Sequence, residues 1–463
     1  MFEKIKSFFK KNNRGVSLLY VIIFGFLVTT TIILSVSSYA AYENRSSNII
    51  YNKDEAFHIA EAGINYYKWH LAHNSGDYTD GSEEAESYLH EFKDKNGSVI
   101  GYFSLEIDTP LAGSSVVTVR STGYTIEEPD RKRTIQVRLG FPSLTENTFL
   151  ANDSMNFSFT TEVSGVIHSN GGIRFDGTTD SWVKSAKATY KYENQTHNGV
   201  WGGGGPKSFW LFPVPAVDFF GVTSDLSDIR DSADNGGIHL YSSGQEGWRI
   251  VFKGNNFDLY KVKTIDCYNG EGTWRRRWGG WYWDGDVYCY DLGNTEYVDS
   301  YDIPENGAIF IEDNVWVEGT VDGRVSVGVG RFPVQEPYKN IIISGNLIYN
   351  EKASDDTIGL LAQGNILVPY EVPEDMEING ALLSQFSAIY RPYYDEDVKN
   401  SLTIFGSQIS YESGGWKYVN GWGNVISGFE DTNHIYDGNL KFYPPPGFPV
   451  GVNYELLSWE EIL

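Results

Sequence analysis

A chain of 463 residues exceeds one ordinary hydrophobic core, so its length predicts two or three domains. Its net charge of −25 argues against a nucleic-acid-binding protein, because phosphate contacts need clustered Lys and Arg. Aromatic residues make up 15% of the chain, and there are 49 Gly but only 3 Met, a composition typical of strands and turns. We therefore expect a mostly β protein without a nucleic-acid partner.

The first 15 residues form a basic leader. Five cationic side chains stand there against the single Glu3: Lys4, Lys6, Lys10, Lys11 and Arg14. Since the whole chain totals −25 and the leader contributes +4, the remainder carries −29. Basic residues beside a membrane span stay on the cytoplasmic side. We therefore predict that residues 1–15 are cytoplasmic and that the bulk of the chain is extracellular.

A long apolar segment follows the leader. No charged residue occurs from Val16 to Tyr42, and such a helix, at about 1.5 Å per residue, reaches roughly 40 Å, more than the bilayer's hydrocarbon core of about 30 Å. The alternative is a secretory signal cleaved before Ala41, but the apolar stretch is about twice the usual signal core. Residues 16–42 are therefore predicted to be the transmembrane helix of a single-pass membrane protein.

The helical pattern continues to about Ala72 and is followed by strand-like runs. An amphipathic stripe, suited to packing on a folded domain, recurs at spacings of three and four: Ala56, Ile59, Ala60, Gly63, Ile64, Tyr67 and Leu71. Residues 73–97 are expected to form a loop or a short helix. Three alternating runs then predict an antiparallel meander: Val99 to Ile107, Val116 to Tyr124 and Thr134 to Leu139. Helix extension and meander make a first domain over residues 43–141.

Two motifs at the N-terminus carry a resemblance to a known family. The run Lys10-Lys11-Asn12-Asn13-Arg14-Gly15, directly before the apolar segment, resembles the leader of type IV prepilins. The stretch from Asp54 to Ile64 is similar to the AFxxAEAG stretch of PilX-like type IV pilus assembly proteins. The resemblance implies a pilin-like fold, a cut by prepilin peptidase between Gly15 and Val16, and contacts with other pilins or pilus assembly proteins through the N-terminal helix.

One residue departs from the pattern of major pilins. They usually carry Glu five residues after the cut, where Tyr20 stands here. A buried carboxylate at that position would pair with a neighbouring subunit's ammonium group. Its absence resembles minor pilins and implies a place at a filament tip. An uncleaved single-span protein that never joins a filament is the alternative.

Glycines recur inside short apolar runs beyond residue 142. Such runs end at Gly319, Gly345, Gly364, Gly380 and Gly406, and 164–171 is an earlier one. Spacing near one coil of a parallel β-solenoid predicts stacked rungs, whereas a β-sandwich with glycine at bulges is the alternative. The PilX-like resemblance, which a C-terminal PPGFP and LSW pair extends, favours a right-handed parallel solenoid over residues 142–450. It is expected to have an insertion at about 180–300 and a C-terminal cap at 451–463.

The predicted insertion contains the two cysteines of the chain, Cys267 and Cys289. Both lie in the part expected outside the cell, where a disulfide persists; two unpaired thiols are the alternative. No metal is expected, because no second CxxC or ordered His pair accompanies them.

A patch of tryptophans and arginines lies between these cysteines. It comprises Trp274, Arg275, Arg276, Arg277, Trp278, Trp281 and Trp283. Such a surface can stack on sugar rings or contact anionic glycans, which makes it a candidate recognition loop. The alternative is a hairpin whose tryptophans cover the solenoid and whose arginines meet the acidic body.

No enzymatic motif stands out. The sequence lacks GxSxG, HExxH, a Walker loop and a dinucleotide fingerprint. Several carboxylates are candidates only because solenoids also house carbohydrate-active enzymes: Asp284, Asp286, Asp291, Asp355 and Asp356. We expect a non-enzymatic minor pilin-like component without a cofactor. The alternatives are a single-span surface adhesin that binds glycans and a membrane-tethered carbohydrate-active enzyme.

Overall fold

The computed structural model describes most of the chain. The described residues are 13–74, 76–80, 88–110, 116–140, 143–217, 219, 222–277, 280–441, 443–450 and 454–462, and their side chains are described except at 13–17, 222–225, 277 and 280. The chain is mostly β with one long N-terminal helix, as predicted. It divides into two compact units. The helix-and-sheet unit comprises Met1–Asp108, Thr118–Arg138 and Ser458–Leu463, and the parallel-ladder unit comprises Thr109–Val117 and Leu139–Leu457.

The helix-and-sheet unit is built on α1 (Asn13–His73), a helix of 61 residues. No described side chain before Asn52 is buried, whereas the predicted stripe from Ala56 to Leu71 is buried throughout. A five-stranded sheet in the order β1-β2-β3-β4-β33 accompanies it: β1 (Tyr88–Lys93), β2 (Val99–Asp108), β3 (Val117–Thr125), β4 (Arg133–Gly140) and β33 (Glu455–Ile462). The periodicity of three and four thus identified the buried face of α1.

Glycines allow α1 to approach the sheet closely. A Cβ atom on Gly123 in β3 would lie 2.3 Å from the carbonyl oxygen of Ala56 and 2.4 Å from the amide nitrogen of Ala60. On the helix, a Cβ atom on Gly63 would lie 2.2 Å from Oγ of Ser121. The sheet therefore meets the helix backbone directly at Gly123, and the helix backbone meets side chains of the sheet at Gly63.

Two sequence predictions need correction in this unit. Residues 73–97 contain β1, paired antiparallel with β2, where a loop or short helix was expected. The predicted cap at 451–463 contains β33, which joins the five-stranded sheet beside β4. There Arg133 donates a hydrogen bond to the Glu461 carboxylate, and the Trp459 ring meets Phe57 of α1 edge-on at 5.9 Å. The C-terminal tryptophan thus completes the helix-and-sheet unit.

The parallel-ladder unit contains the remaining strands, in the following order. The first group is β5 (Phe149–Ala151), β6 (Met155–Phe157), β7 (Thr161–Ser164), β8 (Ile167–Ser169), β9 (Ile173–Phe175), β10 (Thr178–Thr179), β11 (Val183–Ser185), β12 (Thr189–Tyr192), β13 (Gln195–Asn198), β14 (Val200–Trp201) and β15 (Trp210–Leu211). The second is β16 (Ile238–Leu240), β17 (Gly247–Gly254), β18 (Asn256–Val262), β19 (Ile265–Arg277), β20 (Gly280–Leu292), β21 (Thr295–Asp302), β22 (Ala308–Ile311), β23 (Val315–Val321) and β24 (Arg324–Val329). The third is β25 (Ile341–Tyr349), β26 (Thr357–Ala362), β27 (Ile366–Leu367), β28 (Asp375–Ser384), β29 (Ile389–Tyr390), β30 (Val398–Ser410), β31 (Lys417–Val419) and β32 (Val425–Ile435).

Helical elements are few among the described residues of this unit. They are α2 (Val222–Asp234) and the short 3₁₀ helices Leu144–Glu146, Lys207–Phe209 and Gly438–Lys441.

Most strands of this unit pair in parallel, and consecutive strands belong to different ladders. One ladder runs β16-β22-β24-β26-β28-β30-β5-β8-β11-β15, and a second runs β17-β23-β25-β27-β29. A third joins β30, β32, β7 and β10. This pairing is the one expected when successive coils stack. That these coils close into a right-handed solenoid stays a prediction.

Buried apolar residues form in-register columns along these ladders. One column runs through Ile309, Val327, Leu360 and Leu382, all buried, and a second includes Ile378 and Ile404. Each rung buries its apolar side chains against those of the next rung, so the core is continuous along the ladders.

The predicted insertion at about 180–300 also needs correction. Within it, β11, β15, β16 and β17 pair in parallel and belong to the ladders. The ladder pattern is interrupted by the hairpin β12-β13, by α2, and by the antiparallel strands β18 to β21. Three of these ladder strands, β11, β15 and β16, contain no glycine, and only β17 has an apolar run that ends in one, Gly254, so the glycine pattern does not extend through this segment.

Candidate functional site

The first half of α1 is the candidate membrane anchor. The helix is long and apolar enough to cross a membrane, and its apolar window is not buried in the protein. Its hydroxyl groups bond back to carbonyl oxygens one turn earlier: Thr31 Oγ1 to Leu27 at 2.7 Å and Ser35 Oγ to Thr31 at 2.8 Å. In a hydrocarbon environment such bonds satisfy polar groups that have no water partner.

The predicted cut site lies at the start of α1. The backbone of Gly15 and Val16 is helical, while their side chains lie outside the described ones. Tyr20 is 68% exposed on the apolar part of the helix. The position at which major pilins usually carry Glu is therefore on the open surface of the anchor.

The candidate recognition loop is a hairpin formed by β19 and β20. The strands pair antiparallel from Ile265–Leu292 to Arg277–Gly280, and Cys267 and Cys289 form a disulfide across them. The predicted disulfide is therefore confirmed. It lies where the register of the hairpin is irregular, between Asp266 and Tyr268.

The base of this hairpin is packed on the segments that follow the ladder strands β27 and β29. The Tyr268 ring stacks on Tyr370 with centroids 3.9 Å apart, and the amide of Asp395 donates to the Asn269 carbonyl oxygen at 3.1 Å. The buried Asp291 carboxylate accepts hydrogen bonds from the amides of Tyr370 and Glu371 at 3.1 and 2.6 Å. Burial raises the pKa of Asp291 to about 6. Base contacts and disulfide together fix the direction of the hairpin.

The outer part of the hairpin has one aromatic face. Trp274 lies opposite Trp283, with the two rings edge to face at 5.5 Å, and Arg276 lies opposite Trp281. Directly opposite residues of an antiparallel pair share a face, and so do alternate residues along each strand. Trp274 is 57% and Trp281 66% exposed, so these tryptophans do not cover the ladder strands. The structure therefore disfavours the covering role that the sequence left open.

The other predicted residues of the loop are placed differently. Arg275 faces the opposite side and forms an ion pair with Asp284 of the same hairpin at 2.6 Å. Arg277 ends β19, and its side chain is not among the described ones. Trp278 lies outside the described residues. The face that the structure supports is therefore Trp274, Arg276, Trp281 and Trp283, which we call the tryptophan face.

Removing the disulfide is expected to destabilise the parallel-ladder unit. Because the bond closes a loop over a sequence separation of 22 residues, replacing both cysteines with alanine should lower the free energy of unfolding by about 3 kcal/mol. Urea unfolding of the full chain in nanodiscs, followed by tryptophan fluorescence, measures the change. Reduction of the wild-type chain is the control and should give the same loss. Equal midpoints for the oxidised wild type and the double variant would contradict the prediction.

Three of the five candidate catalytic carboxylates have structural partners. Asp356 is buried and accepts hydrogen bonds from the amides of Gly323 and Glu351 at 2.7 and 2.9 Å, while Asp291 and Asp284 have the partners described above. Within the described part of the chain, no group of three or more His, Cys, Asp or Glu could hold a metal ion.

The parallel-ladder unit also contains a cleft of about 790 Å³ that sequence reasoning missed. Residues of β5 and β6 form one wall, and residues 413–425 form the other. At its base the Trp416 indole donates to Oε1 of Gln408 at 3.0 Å, and Nε2 of Gln408 donates to Nδ1 of His434 at 3.1 Å. All three side chains are buried. Its only sequence signal was a polar residue at an apolar position: Gln408 directly before Ile409.

His434 is expected to make stability depend on pH. Burial, aided by the charge of Lys417, lowers the pKa of His434 to about 3, so the unfolded chain binds a proton below about pH 6.5 that the folded chain does not. Stability therefore falls as pH drops from 6.5 towards 3, by roughly 1.4 kcal/mol per unit. The variant His434→Asn keeps an acceptor for Gln408 but should lack this slope. Urea midpoints of both proteins across this range measure it, and parallel curves would refute the assignment.

Comparison with known proteins finds similarity only among solved structures. No protein-family model and no curated protein matches the sequence. The chain is similar to the crystal structure of the competence-associated pilin ComZ from Thermus thermophilus, with 14% identity and a TM-score of 0.33. The match covers 89% of this chain and 97% of that one.

Proposed function

We propose that this chain is a non-enzymatic, minor pilin-like component of a type IV pilus or a related cell-surface assembly, held in the membrane by the first part of α1. The observation that carries the proposal is the division of α1 near Asn52. Its described side chains before that residue are unburied and largely apolar, and a buried stripe follows on the same helix. A helix of this design anchors a folded unit in a membrane or in a bundle of like helices.

The leader supplies the second support for this function. The resemblance to prepilins implies that prepilin peptidase cuts between Gly15 and Val16 and that the freed helix contacts other pilins or assembly proteins. Tyr20 leaves the helix without the carboxylate that would neutralise a neighbour's ammonium group inside an apolar bundle. A chain without that carboxylate suits a filament tip, where no further subunit needs to be matched.

Blocking the cut tests this function in cells. In wild-type cells the chain is expected in filaments sheared from the surface, while the variant Gly15→Leu should stay in the membrane fraction. The matched control Asn12→Leu changes the leader away from the cut and should behave as wild type. Immunoblots of both fractions give the result. The proposal is contradicted if the wild-type chain is absent from sheared filaments and wild type and Gly15→Leu are distributed alike between the two fractions.

A second function, adhesion to glycans, is favoured by the tryptophan face. Its rings are exposed at 57% and 66% on Trp274 and Trp281, and Arg276 lies beside Trp281. Exposed aromatic rings next to a guanidinium group stack on sugar rings and attract anionic substituents. This recognition is compatible with a place in a filament or with a single-span adhesin.

A glycan array tests adhesion by the tryptophan face. The double variant Trp274→Ala/Trp281→Ala should lose wild-type binding by at least about tenfold, because two stacking surfaces are removed. Trp69→Ala, which removes a 59% exposed indole from α1 in the helix-and-sheet unit, is the control. Wild-type binding that survives in the double variant would exclude this face.

A membrane-tethered carbohydrate-active enzyme is the least supported alternative, since Asp284, Asp291 and Asp356 are engaged in structural contacts.

A further inference from the structure

The cleft lined by β5, β6 and residues within 413–425 lies where two apolar columns of the ladders reach polar residues. The column Ile309, Val327, Leu360, Leu382 continues in register to Gln408, and the column Ile378, Ile404 continues to His434. Beyond them, the next residues in register are Phe149 and Val163. The first column thus becomes polar on β30 and the second one rung later on β32, and both polar residues line the cleft. Even when it is hydrogen-bonded, a polar side chain at a core position forgoes the apolar burial of the other residues in its column, a cost that a binding role explains.

Hydrogen bonding fixes the orientation of these polar groups. The Trp416 indole can only donate, so Oε1 of Gln408 must face it and the amide nitrogen must face His434. Nδ1 of His434 is therefore an acceptor, and the proton of the neutral ring lies on Nε2. The base of the cleft is thereby preorganised and uncharged, with one ring N–H donor on a residue that lines it.

The charges around the cleft balance. Its lining includes two cations, Arg174 and Lys417, and two carboxylates, Asp176 and Glu193. Nε of Arg174 donates to Asp176 at 2.8 Å, and Nζ of Lys417 donates to Oγ1 of Thr160 at 2.8 Å. A charged ligand would find no excess of opposite charge here, so the lining favours a neutral one.

The walls combine rings with small polar groups. Phe149, Phe157 and Phe159 provide aromatic surface, and Phe159 is 69% exposed at the mouth. Asn156, Ser410 and Thr432 add hydrogen-bonding groups between the apolar surfaces. The cleft volume of about 790 Å³ lies within the usual range of small-molecule sites. A ligand that fits this lining has apolar faces and many hydroxyl groups but no charge.

We infer that this cleft binds a neutral oligosaccharide, with Phe159 stacking on a sugar ring at the mouth and His434 donating from Nε2 to a sugar oxygen at the base. The site lies in the parallel-ladder unit and differs from the tryptophan face in both location and charge. It gives the protein a second recognition surface, one that selects uncharged glycans. A fatty acyl chain is disfavoured because it would leave the polar base without partners.

Calorimetric titration of the full chain in nanodiscs tests this site, without alkyl maltoside detergents, whose head groups are sugars. The probes are two neutral hexasaccharides, maltohexaose and N-acetylchitohexaose, with hexagalacturonate as the acidic counterpart and laurate as the acyl chain. At least one neutral probe should bind saturably. Phe159→Ala should weaken that binding by about tenfold, and His434→Asn by a similar factor. The control Trp281→Ala, on the tryptophan face, should bind as wild type.

Three results would overturn the assignment: no saturable binding of either neutral probe, binding of hexagalacturonate or laurate instead, or neutral binding that survives in both Phe159→Ala and His434→Asn. Loss of neutral-hexasaccharide binding in Trp281→Ala would instead place the binding site on the hairpin of β19 and β20. Because Phe159 is exposed, its variant should fold, and an unchanged urea midpoint verifies this. Processing of the N-terminus is measured separately, so failure of the cleft assignment leaves the pilin-like function untouched.

Discussion

Replacing Gly406 with alanine is expected to lower the free energy of unfolding of the parallel-ladder unit by about 4 kcal/mol. Gly406 has a φ of +152° and lies in register with Gly380 of the next rung. A Cβ atom there would lie 1.9 Å from the Gly380 carbonyl oxygen, which belongs to backbone and cannot rotate away. Backbone strain of about 1–3 kcal/mol and overpacking of similar size add at this position.

Gly438→Ala is the matched control for this experiment. An added Cβ atom at Gly438 meets nothing within 4 Å, and Gly438 lies in the same unit. Its urea midpoint should stay within the error of wild type. If Gly406→Ala and Gly438→Ala unfold at the same urea concentration, the close stacking of the rungs at Gly380 and Gly406 is wrong.

Replacing Gly123 with alanine is expected to separate α1 from the sheet of the helix-and-sheet unit. The added Cβ atom would lie 2.3 Å from the Ala56 carbonyl oxygen and 2.4 Å from the Ala60 amide nitrogen, both backbone atoms of α1. Relief requires the helix to move outwards, away from the Phe103 ring that packs on Tyr66 of α1 and from its other apolar contacts, at a cost of roughly 3 kcal/mol. Amide hydrogen exchange between Asn52 and His73 should accelerate by two orders of magnitude.

Gly76→Ala is the control for the helix docking. A Cβ atom at Gly76 meets nothing within 4 Å, and the residue follows α1 in the same unit. Its exchange rates should equal those of wild type. Unchanged protection of α1 in Gly123→Ala would show that the helix does not rest on Gly123.

Local periodicity predicted the helix-and-sheet unit well. The helix was expected to end near Ala72 and ends at His73, and each of the three meander strands lies within two residues of its predicted bounds. These elements bury only one face, so apolar and polar residues alternate along their sequences with the period of the helix or the strand. Strand β1 was missed because its Tyr, His and Phe side chains are only partly buried and give weak alternation.

Pairing between distant segments could not be predicted from local patterns. Strand β33 pairs with β4, which lies more than 300 residues earlier in the sequence. Nothing in the sequence of residues 451–463 identifies β4 as its partner. Three of the four ladder strands inside 180–262, namely β11, β15 and β16, are only two or three residues long, too short for a periodic signal. The cleft depends on Gln408, Trp416 and His434 meeting across β30, β31 and β32, which only the register of those strands reveals.

Glycine spacing indicated the stacked rungs for a physical reason. Gly319, Gly380 and Gly406 have positive φ, and their added Cβ atoms would each meet backbone of the preceding rung within 3 Å. A position where the backbone of one rung touches the next excludes every other side chain. The candidate recognition loop was identified in the sequence by composition alone. Which of its seven residues share a face required the register of β19 and β20.

The mass of the mature chain is the most direct measurement of the proposed pilin-type anchor. Mass spectrometry of the protein isolated from its native membrane should give a chain that begins at Val16, with residues 1–15 removed. The same spectrum should contain no species that begins at Ala41. A chain that still begins at Met1, or one cut near Ala41, would contradict the account, because the first is an ordinary membrane span and the second a secretory signal.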